Sequence, residues 1–183
     1  MPRLIIAILI SGNAATAQHP RDSWKIKPFD LKAQLNHSLG DAPLTSNERE
    51  QILRSINDSG QREAATDFLV GSITLAKNRS DEIVVRGTKE FCGATGNCSM
   101  WLFVRKGGQL RIALATIGQL LIVQNSVSQG FHNIAIGMHG SAFIEQYQDY
   151  RWNGSKYEQT DCYLTQYSVH ADRSEQPTIV ECH

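Results

Sequence analysis

Two cysteines with five residues between them enclose the most distinctive segment of the chain, Cys92-Gly93-Ala94-Thr95-Gly96-Asn97-Cys98. Bridged, this segment becomes a short rigid loop whose glycines permit positive φ and whose amides can converge on an anion or on a partner's carbonyl. Gly93, Ala94, Thr95, Gly96 and Asn97 are therefore the first candidate contact residues. A second candidate surface is aromatic. Tyr147, Tyr150 and Tyr157 cluster with Trp152 around Asn153-Gly154, and such side chains at a strand end can stack on a sugar or anchor a protein contact. Tyr150 and Trp152 also share a face with Ile144, the pattern of a core.

An imidazole beside a carboxylate can act as a general base, which draws attention to His132 and His139 with Glu145 and Asp149 downstream. The histidines are separated by an odd offset. On a regular strand that turns them to opposite faces, so a joint site would need a bulge at Gly137. Ser141 completes a nominal Ser/His/Asp set with Asp149 but lacks a nucleophile elbow. No catalytic residue is assigned. A secreted hydrolase using His139 with Glu145 or Asp149 is the alternative to a binding role, and a purely structural envelope protein is another. Neither a C-x-x-C pair nor a His at ligand spacing from a Cys occurs, apart from His183 beside Cys182, so no metal and no cofactor is expected.

The expected compartment is read from the N-terminal segment and from the cysteines. Arg3, the apolar run Leu4–Ile10 and Ala15-Thr16-Ala17 read as an export signal over residues 1–17, with the mature protein starting at Gln18. The apolar run is far short of the roughly 20 residues that span a bilayer, and no second run approaches that length, so no membrane span is expected after cleavage. Cys92, Cys98, Cys162 and Cys182 form an even set, as suits an oxidising periplasmic or extracellular location. Four cysteines allow three connectivities. Proximity favours Cys92–Cys98 and Cys162–Cys182, bridges that loop entropy values at about 2.4 and about 3.3 kcal/mol. The 183 residues carry 18 Lys and Arg against 18 Asp and Glu, so no positive field is available to hold a nucleic-acid backbone. A protein or glycan of the envelope or the cell exterior is the expected partner.

These residues need a scaffold to position them. Residues 18–44 lack periodicity and carry three prolines, which reads as an exposed lead-in with at most a short helix near Asp30–Asn36. Thr45-Ser46-Asn47-Glu48 has the form of a capping box, and the stripe Ile52, Leu53, Ile56 follows before Asp58-Ser59-Gly60 ends the helix. From residue 68 the period becomes two. Expected strands are Phe68–Ala76, Glu82–Arg86, Met100–Arg105, Leu110–Ala115, Leu120–Gln124, Asn133–His139, Ala142–Trp152 and Lys156–Leu164. Gly107-Gly108 and Asn153-Gly154 read as type I′ hairpin turns, Gly118 and Gly130 as strand separators, and His139-Gly140-Ser141 as a tight reversal. Met100 to Val104 is apolar on both faces, as a strand covered on both sides must be, with the capped helix as part of that cover. The expected fold is α+β: one antiparallel β-meander sheet preceded by the capped helix, with residues 45–183 as a single domain.

The pattern C-G-x-x-G-N-C-x-x-W-x-F from Cys92, with Gly130-Phe131-His132-Asn133-Ile134, His139-Gly140-Ser141-Ala142-Phe143 and Tyr150-Arg151-Trp152-Asn153-Gly154-x-x-Tyr157, resembles small exported bacterial β-domains of unassigned function. That resemblance spans about residues 82–163 and implies a compartment and a fold. In layout the chain is also similar to Ivy-type periplasmic lysozyme inhibitors, where a signal peptide, a helix, a strand, a short disulfide loop and a β-meander follow one another and the loop enters the lysozyme cleft. Their loop carries C-K-P-H-x-C. The present loop has no Lys, Pro or His, so the inserted histidine has no counterpart, and the layout alone implies an inhibitor of a cell-wall hydrolase.

Overall fold

In a computed structural model, residues 29–30, 35–58, 66–76, 82–141, 144–166 and 178–180 are described. Residues 1–28, with the expected signal segment, lie outside them. The capping box forms as its residues dictate: Thr45 N donates to Glu48 Oε2 at 3.0 Å and Glu48 N to Thr45 Oγ1 at 3.2 Å. Helix α1 (Ser46–Asp58) follows. Glu48 also pairs with Arg105, and the backbone bond from Thr45, ahead of that pair, holds its carboxyl below the ordinary range.

Among the described residues, eleven strands form two antiparallel sheets, so the fold is β-dominated with a single α-helix. The five-stranded sheet runs, in order, β2 (His37–Ser38), β3 (Leu69–Ile73), β4 (Glu82–Arg86), β5 (Cys98–Lys106) and β6 (Gln109–Gly118). The six-stranded sheet runs β1 (Phe29–Asp30), β7 (Leu120–Ser128), β8 (Phe131–Ser141), β9 (Ile144–Trp152), β10 (Tyr157–Gln166) and β11 (Thr178–Val180). All eight expected strands are present: Glu82–Arg86 has the expected ends, the others differ at one or both, and Ala142 lies outside the described residues. The expected single sheet is two, because the chain changes sheet at Gly118-Gln119. A Cβ at Gly118 would stand 2.5 Å from Ile136 Cγ2 and 3.2 Å from the Gly137 carbonyl, so the crossing admits only glycine.

Two cores result. Between the sheets lie Met100, Leu102, Val104, Leu121, Val123, Ile134, Ile136, Tyr150, Trp152 and Tyr157. On the other face of the five-stranded sheet, Ile52 and Ile56 of α1 pack with Phe68, Val85, Trp101 and Phe103. The alternation along β5 thus feeds both layers, as its pattern predicts. Arg49 bonds to the Leu39 and Ala42 carbonyls, and Leu110 N donates to Gln51 Oε1, docking the helix on β6.

Several local readings are corrected. The lead-in is part of the fold: β1 and β2 belong to the sheets, Leu35, Leu39 and Ala42 are buried, and Asp30 sits in a strand where at most a short helix was expected, residues 31–34 lying outside the described ones. Asn153-Gly154 is not a two-residue turn. Trp152 pairs with Tyr157 across four residues, and Asn153 Oδ1 accepts from Ser155 N and Lys156 N, so the side chain supplies the turn and only Gly154 takes positive φ. Gly107 and Gly108 both take positive φ, as expected. His139-Gly140-Ser141 is a bulged end of β8 rather than a reversal.

Candidate functional site

The Cys92–Cys98 disulfide is formed, and the two residues face each other as an antiparallel bridge. Cys162 is disulfide-bonded as well, whereas Cys182 lies outside the described residues, so its expected pairing does too. The loop leaves β4 through a short 3-10 turn, Lys89–Phe91, whose Phe91 ring packs edge-on against Phe68 and Trp101. Gly87 leaves room for it: a Cβ there would stand 2.4 Å from Phe91 Cβ. Within the loop, Gly93 N donates to the Asn97 carbonyl and Gly96 N to the Gly93 carbonyl, with Gly96 at φ 81°.

What the loop residues do divides them in two. Gly93, Ala94 and Thr95 are exposed. Asn97, expected as a contact, instead ties the loop to the far sheet: its Nδ2 donates to the His139 carbonyl at 2.8 Å and its Oδ1 accepts from His139 N at 2.9 Å. Gln119 Nε2 donates to the Thr95 carbonyl at 2.6 Å, and a Cβ on Gly96 would meet that same carboxamide at 2.7 Å. These ties join residues 24 and 42 positions apart. No local pattern announces them; the one available signal was the polar Gln119 at a sheet crossing.

Beside the loop lies a shallow cleft of about 40 Å³ lined by Gln119, Leu120, Gly137, Met138, His139, Glu145 and Tyr147. His139 and Glu145 are cross-strand partners, with His139 Nδ1 3.9 Å from Glu145 Oε1. The other oxygen, Oε2, accepts from Tyr147 OH. The Tyr147 ring lies over Gly137, where a Cβ would stand 3.0 Å from its Cε1 and 3.2 Å from Leu120 Cβ. Gly137 therefore admits a cross-strand ring.

Of the three tyrosines, only Tyr147 stays at this surface. Tyr150 and Tyr157 are 6% and 4% exposed, inside the inter-sheet core, and cannot meet a partner. Tyr150 OH donates to Gln148 Oε1 and Tyr157 OH to the His132 carbonyl, while Trp152 stacks on Phe131. Burial pushes the Tyr150 and Tyr157 hydroxyls up. The even-numbered face of β9 points inward, which strand alternation could show but could not sign.

The histidines do not meet: His132 is at the start of β8, its Nδ1 bonded to the Gln124 carbonyl, and His139 near the end. Asp149 pairs with Ala135, four residues along the ladder from the His139–Glu145 pair, so it does not serve His139. It receives Gln124 Nε2 at 2.9 Å. Burial pushes its carboxyl up to about 6, against the hydrogen bonds from Gln124 and Tyr163 and with Asp161 adding repulsion. Tyr163 is pushed up to about 12, by burial first and the Asp149 charge next.

A carboxyl whose folded pKa exceeds its unfolded value near 3.9 binds its proton more tightly in the folded state. Its contribution is therefore most favourable below about pH 4 and is lost as pH rises through about 6. Asp149→Asn should raise stability at neutral pH by about 1–2 kcal/mol, discounted for partial exposure, and change it little near pH 4. Urea unfolding of both proteins at the two pH values checks this, and a variant less stable than wild type at neutral pH contradicts it.

Among the described residues, no group of three or more His, Cys, Asp or Glu could hold a metal ion, and no helix is long and apolar enough to cross a membrane. A formed disulfide is compatible with an oxidising, exported compartment. Comparison of the chain with protein families, with curated proteins and with solved structures finds no match. The geometry defines a β-sheet protein with a pinned, partly exposed loop beside a small cleft of mixed polar and apolar lining.

Proposed function

We propose that the protein is an exported, non-enzymatic binding module, periplasmic or secreted, that uses its disulfide loop to engage a protein or glycan of the envelope or the cell exterior. The observation that carries this reading is the loop's pre-organisation. The disulfide, Asn97 and Gln119 hold the backbone of Gly93, Ala94 and Thr95 while leaving those residues exposed. A segment ordered before binding forfeits less conformational entropy on binding. The His139–Glu145 pair falls short of a hydrogen bond, and Glu145 is engaged by Tyr147, which favours recognition over proton transfer. Together with the resemblance of the sequence layout to Ivy-type inhibitors, this supports a cell-wall hydrolase such as lysozyme as the leading partner class.

Titration of the mature protein against lysozymes and soluble peptidoglycan fragments by calorimetry, beside a cell-wall lysis assay, tests it. Saturable lysozyme binding with slowed lysis is the expected result. Absence of binding to either probe would remove the reading. Peptidoglycan turnover by the protein itself, lost in folded His139→Ala, would establish the hydrolase instead.

A further inference from the structure

The two sulfurs of the loop disulfide have different surroundings. Cys98 is 1% exposed at the start of β5, and the Arg86 guanidinium, itself 8% exposed on β4, places Nη2 2.8 Å from Cys98 Sγ. The same nitrogen lies 3.5 Å from the Gly96 carbonyl. Cys92 is only partly buried and adjoins exposed Gly93. A disulfide sulfur is a weak acceptor and gains little from a cation, whereas a thiolate at that position gains a charge-assisted hydrogen bond.

We propose that Cys92–Cys98 is a reducible clasp, opened by a dithiol reductant that attacks Cys92 and expels Cys98 as a thiolate held by Arg86. The reductant's thiolate forms a bond to Cys92 Sγ as the Cys92–Cys98 bond breaks, and the bonding pair stays on Cys98. The reductant's second thiol, losing its proton, then displaces Cys92 from the mixed disulfide. Cys92 takes up a proton, Cys98 remains a thiolate beside Arg86, and the reductant leaves as its own disulfide, two electrons having passed to the protein. Burial opposes a thiolate and a neighbouring guanidinium favours it; at hydrogen-bond distance the guanidinium prevails. A leaving group of lowered pKa also departs faster. Opening the clasp leaves Asn97 and Gln119 as the ties on Gly93–Thr95, so reduction loosens the presented loop, a consequence that rests on the binding reading above.

The clasp chemistry is tested without any partner. In Cys92→Ser, Cys98 becomes a free thiol, the one among the described residues, and the ultraviolet absorbance of its thiolate followed against pH should place its pKa about one unit or more below the usual 8.5. In Cys92→Ser/Arg86→Met it should return to that value or rise above it. Dithiothreitol reduction, followed by alkylation and peptide mass at Cys92 and Cys98, should be several-fold slower in Arg86→Met than in wild type and near wild type in Arg86→Lys. If the methionine variants fail to fold, the Cys92→Ser titration decides alone. A Cys98 pKa at or above 8.5 in folded Cys92→Ser, or equal reduction rates with and without the Arg86 charge, would overturn the proposal while leaving the binding reading untouched.

Discussion

Trp101→Ala should cost about 3–5 kcal/mol, the largest loss expected from any single truncation in the helix-side core. Trp101 is 1% exposed, lies parallel to Phe68 at 5.7 Å between ring centroids, and meets the Phe91 edge at 6.2 Å. It pairs with Val85 on β4 and Ala115 on β6, so its indole sits on the middle strands of the five-stranded sheet beneath α1. Removing it opens a cavity that neither Phe68 nor Ile56 can fill without leaving its own packing. Because Phe91 closes the turn that leads into Cys92, the loss should reach the loop as well. Urea unfolding followed by circular dichroism measures the cost, with Ile117→Ala as the surface control, since Ile117 is half exposed. A Trp101→Ala loss no larger than that of Ile117→Ala would mean the helix does not pack there.

Asn97→Ala should weaken partner binding by about thirtyfold, the affinity equivalent of re-ordering about two residues of backbone at roughly 1 kcal/mol each. The side chain makes both bonds that hold the loop to His139 and a third to Thr95 Oγ1. None of these reaches a partner, so the loss is one of pre-organisation. Ala94→Trp provides the complementary change: the exposed tip gains bulk, stability stays within about 0.5 kcal/mol, and close approach is blocked. Gly96→Val differs from both, because φ of 81° and the Gln119 contact make it destabilising whatever the loop does. Thermal melting beside affinity for the titrated lysozyme or glycan separates the three. If Ala94→Trp and Asn97→Ala bind as wild type does, the loop is a staple, and the Tyr147 cleft becomes the contact to examine.

The residues that could be read from the chain alone are those whose partners are near in sequence or set by strict period. Thr45 and Glu48 cap a helix because three residues span one turn, and the strands follow from alternation that the backbone pleat imposes. Gly107-Gly108 turns because both glycines accept positive φ. Cys92 and Cys98 pair because a five-residue excursion leaves them facing each other. Period two says which residues share a face but not which face is inside. Tyr150 and Tyr157 were therefore open to either surface until the second sheet covered them.

The chain by itself thus determined the capped helix, the eight strands and the disulfide loop, all products of local geometry. Only the tertiary structure decided that the strands divide into two sheets at Gly118 and that residues upstream of 45 complete them. It also decided that Asn97 faces inward to His139 and that Arg86 lies against Cys98. Those contacts join separate strands, and their side chains are small polar or charged groups that carry no periodic signal; only the packing of one sheet on the other brings them within reach.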